Sequence, residues 1–204
     1  MGILSSSVSL TRYRIVEKVP DELVNELPQR LKSNAFREID QTSDERSFGW
    51  VCFDDFLDNK WHTSSPHKGH YLAFALRLDT RRIPPAVMKK HLRLALEEAR
   101  REQEPRGRKI VTRDQKAEIK DRVKQTLMGK TLPVPAVFDV VWDVSRHMIY
   151  LGSISPKVRQ LFEDQFTQSF DLSLEPQTPY FLAAILAEEQ KKNLLEEVEA
   201  SVMA

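Results

Sequence analysis

The sequence predicts an α+β fold, a mixed body of strand–helix–strand units carrying an inserted basic helical hairpin. Three observations lead there. Short apolar runs of strand character lie on both sides of the chain's middle. The middle, from Pro84 to Gly129, places apolar residues at helical rather than strand spacing. That same stretch is net positive whereas the rest of the chain is net negative, which sets it apart from a body of ordinary composition.

Ser7 to Val16 has Val8, Leu10, Tyr13 and Ile15 among polar residues and reads as a strand. Asp21 to Ser33 reads as a short helix with Leu23, Val24, Leu27 and Leu31 on one side and Asp21 in the first turn after Pro20. Pro28 inside it argues for an early end. Phe48 to Phe53 and Tyr71 to Leu78 read as strands, and the polar stretch Asp54 to Gly69 between them as a loop. Pro84-Pro85 opens a helix to about Glu104, with Met88, Leu92, Ala95, Leu96 and Ala99 as its apolar stripe. Pro105 to Lys109 breaks it. Thr112 with Gln115 forms a capping-box pair for the next helix, whose stripe is Ile119, Val123 and Leu127 and whose end is Gly129 at C′. These two helices form a hairpin.

Ala136 to Val144 and Met148 to Ile154 read as strands joined through Ser145-Arg146-His147. Ser155-Pro156 places an N-cap before a proline at N1 and opens a helix to about Phe170. Asp171 to Leu174 reads as a further strand, and Thr178-Pro179 starts the last helix. The division that follows is a body of residues 1–80 and 132–177, an arm of 81–131 and a C-terminal helix of 178–204.

Composition narrows the function classes. The chain has 204 residues, 41% hydrophobic and 30% charged, ordinary for a globular protein. Its one cysteine, Cys52, cannot form a disulfide within the chain and reads as a small core residue in the run Trp50-Val51-Cys52-Phe53. Trp50, Trp61 and Trp142 read as packing anchors. Met1-Gly2 to Ser6 matches a myristoylation pattern but reads as an ordinary lead into the first strand, with no signal peptide and no apolar run of membrane-spanning length.

Formal net charge is +1, yet its distribution is uneven. Arg81 to Lys130 carries 16 basic and 7 acidic residues, leaving 15 basic and 23 acidic elsewhere. On the second arm helix Arg113, Lys116, Lys120 and Lys124 share one face, with Glu118 and Asp121 expected elsewhere. On the first, Lys89, Arg93 and Arg100 align, and Arg106, Arg108 and Lys109 add charge at the tip. Aligned like charges repel one another, whereas a phosphate backbone is stabilised by them through counterion release. Those ten residues are the expected DNA-binding set. No aromatic residue interleaves with them, which favours backbone contact without sequence preference over base stacking.

Other constellations are weaker. His62, His67 and His70 lack a complementing Cys or carboxylate at metal-ligand spacing. Asp54, Asp55 and Asp58, with Glu118-x-Lys120, are the residues a metal-dependent nuclease reading would use, but they show no convergent pattern. No Walker A loop, dinucleotide fingerprint or nucleophile elbow is present, so neither catalysis nor a cofactor is expected.

The order of motifs resembles a family. Tyr13-Arg14, Ala35-Phe36, Gly49-Trp50-Val51, Phe74-Ala75-Leu76-Arg77, Ile83-Pro84, Val141-Trp142-Asp143 and Ile149-Tyr150 are similar to the recombination-associated protein RdgC, over about Leu10 to Pro179. The resemblance implies a bacterial, cytoplasmic, nucleoid-associated protein. It also implies DNA binding with little sequence preference, a homodimeric ring with a basic interior, and restraint of RecA-driven recombination. It supplies no catalytic residues. Typical members are longer, with a C-terminal portion that helps close the ring. Set against this DNA-binding reading are an exonuclease and a module whose arm binds an acidic protein.

Overall fold

Alternation of buried and exposed side chains from Thr11 to Ile15 shows where the first strand lies on the core. In the computed structural model, which describes residues 2–103 and 111–186, the order is β1 (Thr11–Ile15), α1 (Asp21–Ser33), β2 (Arg46–Cys52), β3 (His67–Lys68), β4 (Tyr71–Thr80), α2 (Pro85–Gln103), α3 (Arg113–Lys130), β5 (Val134–Asp143), β6 (Met148–Leu151), α4 (Pro156–Phe170), β7 (Leu174–Pro176) and α5 (Pro179–Leu186). This is the expected α+β fold. The strands form one sheet in the order β2-β4-β5-β6-β1-β7, with β3 paired to β4. Among the described residues no helix is long and apolar enough to cross a membrane.

By internal contacts the chain divides into two compact units. One takes residues up to Ala35, Gly49–Leu76 and the chain from Val137 on. The other takes Phe36–Phe48 and Arg77–Ala136, which contain α2 and α3.

In the first unit, strand register decides which side chains meet. Tyr13 lies opposite Ile149, and Ile149 opposite Trp142, so all three share the face on which Ile15, Val140 and Leu151 also fall. Against that face pack Leu23, Leu27 and Leu31 of α1, spaced i, i+4, i+8, and Phe162, Phe166 and Phe170 of α4, spaced the same way. The aromatic residues meet edge-on or tilted: Trp50 and Phe74 centroids are 5.1 Å apart, Trp142 and Phe166 5.5 Å, Phe166 and Phe170 4.7 Å. The indole N–H of fully buried Trp50 donates to Ser169 Oγ at 2.8 Å, which removes the cost of burying it. Each such large side chain contributes about 1.5–3 kcal/mol by leaving water.

Several boundaries differ from expectation. β1 begins only at Thr11, four residues later than expected, and Ser5 closes a turn ahead of it by donating its N–H and hydroxyl to Gly2 O. α1 runs through Pro28, whose missing donor does not outweigh the buried leucine stripe. The Asp54–Gly69 loop contains β3, which makes a hairpin with β4. Lys68 pairs with Tyr71 across a two-residue Gly69-His70 turn, and Gly69 at φ 64 supplies the positive φ that turn needs. β6 stops at Leu151, whose carbonyl accepts Ser153 N–H at 2.8 Å. Ser155 occupies the α4 N-cap without a side-chain capping bond. Asp171 is not in a strand: at φ 58 it is the left-handed cap of α4, and β7 starts at Leu174.

Candidate functional site

The arm is built by two stripes and one cap. Met88, Leu92, Ala95, Leu96 and Ala99 on α2 are half-buried. Ile119 and Val123 on α3 are half-buried too, and Leu127 and Met128 are buried. The two helices pack on one another. α3 opens with a complete capping box: Gln115 N–H donates to Thr112 Oγ1 at 3.3 Å, and Thr112 N–H to Gln115 Oε1 at 3.1 Å. Its other end differs from expectation, since Gly129 remains helical and Thr131 is the C-cap.

Lys89, Arg93 and Arg100 on α2, and Arg113, Lys116, Lys120 and Lys124 on α3, are all exposed. The α2 cations line one shallow groove together with Leu92, Leu96 and Glu97. Among the described residues Lys89, Arg100, Arg113, Lys116 and Lys120 make no ion pair. Two of the set are engaged. Arg93 Nε donates to Glu97 Oε1 at 3.0 Å, one helical turn on, and Lys124 Nζ lies 3.4 Å from Glu45 Oε2. Arg106, Arg108 and Lys109 lie outside the described residues.

Local spacing places Asp121 away from the basic row, and at Lys124 that expectation fails. Asp121 and Lys124 line the same concavity with Ser43, Glu45, Gln125 and Met128. Glu45 is the residue sequence reasoning missed. It lies 79 positions from Lys124, and nothing near it in the sequence marks it.

The other candidate residues are occupied with local structure. Asp54 accepts from Lys68 Nζ at 2.6 Å and from the Ser64 hydroxyl, and these two bonds hold its carboxyl below the usual range. Asp55 accepts from Leu57 N–H at 2.9 Å. Burial works against the Asp58 charge, but the backbone N–H groups of Thr63, Lys60 and His62 outweigh it and lower its pKa to about 2. Asp58 thereby braces a turn in which Trp61 sits at φ 55, half-buried against the core. Among the described residues no three His, Cys, Asp or Glu side chains come together as a metal-ion site, so His62, His67 and His70 do not converge. Cys52 is buried, its Sγ 3.2 Å from Ser64 Oγ. Trp50 and Trp142 are fully buried in the core.

What the arm offers chemically is a set of exposed cations on two helices packed on one another. The chain matches the family model described as "Putative exonuclease, RdgC" over residues 9–185, from just before β1 into the last turn of α5. No curated protein matches it. The match runs through body and arm alike, and the protein belongs to the recombination-associated RdgC family.

Proposed function

We propose that this protein binds DNA through phosphate contacts along α2 and α3, with little sequence preference, and acts in recombination without cutting the strand. The observation that carries this is the row of exposed cations, five of them without an ion pair among the described residues. A phosphate backbone supplies the counter-charges that α2 and α3 do not supply to one another, and it releases condensed ions in doing so. Action against RecA-driven recombination, nucleoid association and a homodimer are parts of the same proposal and rest on family membership.

The family description favours a second reading, an exonuclease. Two-metal hydrolysis needs acids that converge on one site. Asp54 instead serves Lys68, Asp55 the backbone N–H of Leu57, and Asp58 those of Lys60 and Thr63. Glu118 and Lys120 are exposed on α3.

Fluorescence anisotropy with labelled duplex DNA across a salt series tests the proposal. Replacing Lys116 and Lys120 by Ala should weaken binding to all sequences alike and reduce the slope of log affinity against log salt by about 1.8, or about 0.9 per contact. An unchanged slope in the folded double variant refutes the assignment of the arm. Cleavage in Mg²⁺ that disappears on Asp54→Ala or Asp55→Ala establishes the exonuclease instead.

A further inference from the structure

The lysine row of α3 is not uniform. Lys116 and Lys120 make no ion pair among the described residues, whereas Lys124 faces Glu45 at 3.4 Å. Glu45 ends a loop, residues 39–45, that is exposed at the surface from Asp40 on and held from inside. Arg81, 2% exposed, does the holding. Its guanidinium donates to the carbonyl oxygens of Ile39 at 2.7 Å, Asp40 at 3.1 Å, Asp44 at 3.4 Å and Thr42. Its backbone N–H donates to Glu45 O at 2.8 Å. Thr42 Oγ1 and Asp44 Oδ2, 2.8 Å apart, close the turn between them. A rigid guanidinium fork that binds this many carbonyls fixes the path of the loop. The loop therefore presents Glu45 to Lys124 from an ordered backbone, beside the second carboxylate of Asp121.

We propose that this Arg81-braced loop is a built-in competitor for the arm, with Glu45 occupying Lys124 where a phosphate would otherwise bind. The proposal rests on the phosphate-binding reading above and adds selectivity to it. An isolated phosphate gains one contact at Lys124 and must displace a tethered carboxylate to make it. A duplex, with a charge about every 1.7 Å of its axis, engages the unpaired cations at once while Glu45 keeps Lys124 out of that set. Glu45 thus withholds Lys124 from a polyanion and confines it to Lys116, Lys120 and the unpaired cations of α2.

The test uses the full chain, duplex DNA and a salt series. Glu45→Gln keeps the side chain's shape and the backbone bond to Arg81 while removing the charge. We expect it to bind about two- to fivefold tighter, the range an exposed ion pair supports, with a salt slope steeper by about 0.9. In the Lys124→Ala background the same substitution should change nothing. Glu118→Gln, which removes a charge from α3 without freeing a lysine, should leave the slope unchanged. An unaltered slope in Glu45→Gln overturns the competitor, and so does a gain that persists without Lys124 or that Glu118→Gln reproduces. If Lys116→Ala/Lys120→Ala weakens binding while Glu45→Gln does nothing, only the competitor falls. If the lysine pair is also silent, both proposals fall.

Discussion

Replacing Arg77 by Met removes the charge paired with a buried carboxylate, that of Asp79, and its cost follows from the contacts. Arg77 and Asp79 stand two residues apart on β4, so they share a face. Their side chains meet in a two-pronged pair, Nε to Oδ1 at 2.9 Å and Nη2 to Oδ2 at 2.8 Å. Arg77 is 5% exposed and Asp79 1%. Nη1 also reaches Glu38 Oε1 at 3.0 Å, and the guanidinium carbon lies 4.1 Å from the Phe36 ring centroid. Burial works against the arginine charge, but Asp79 and Glu38 outweigh it and raise its pKa above the ordinary value. Removing one partner of a buried pair costs about 3–5 kcal/mol, because the other charge stays behind without compensation. The contact to half-exposed Glu38 adds less than about 1 kcal/mol. Methionine sulfur against Phe36 offsets part of the lost ring contact. We expect Arg77→Met to lose about 4 kcal/mol in urea unfolding followed by tryptophan fluorescence. Arg77→Met/Asp79→Leu should lose less than either single variant, since no buried charge remains. A loss below about 1 kcal/mol for Arg77→Met, or a double variant that loses the sum of the singles, refutes the argument.

Two further predictions concern the first unit. Asp58 has a folded pKa of about 2, below the ordinary 3.8, so its contribution is fully present above pH 3.8 and is lost as pH falls through about 2. Trp61 fluorescence should report that loosening in an acid titration, and Asp58→Ala should show the loosened signal already at neutral pH; identical emission there would contradict the assigned brace. Leu27, fully buried between sheet and α4, should cost about 2–5 kcal/mol when cut to Ala. Calorimetry that finds the variant as stable as the parent would show that α1 does not close this core.

The arm and the paired strands were legible because their signals are local. A helical stripe such as Met88, Leu92, Ala95, Leu96 and Ala99 is a statement about spacing, and so is the capping pair Thr112 and Gln115; both appear in the structure as read. The β5–β6 hairpin and α4 follow from turn and proline chemistry of the same short range. Boundaries proved less legible where a turn bond competes with a strand bond. At Asp171 a left-handed cap takes the residue that an apolar pattern would give to β7. The Gly69-His70 turn was readable in principle, but the flanking pair His67-Lys68 is too short and polar to register as a strand.

The sequence by itself determined which helices exist, which of their faces are apolar, and that cations concentrate on the arm, because each of these depends on residues within a few turns of one another. The tertiary structure alone decided which cations are open. Lys124 reads like Lys120 in the sequence, and only the loop fixed by Arg81, 37 to 42 residues before it in the chain, brings a carboxylate to one and not the other. Likewise Arg81 and Arg82 are indistinguishable neighbours until folding buries the first among carbonyls and leaves the second in water. Long-range polar contacts of this kind carry no periodicity, so they leave no trace in a single sequence.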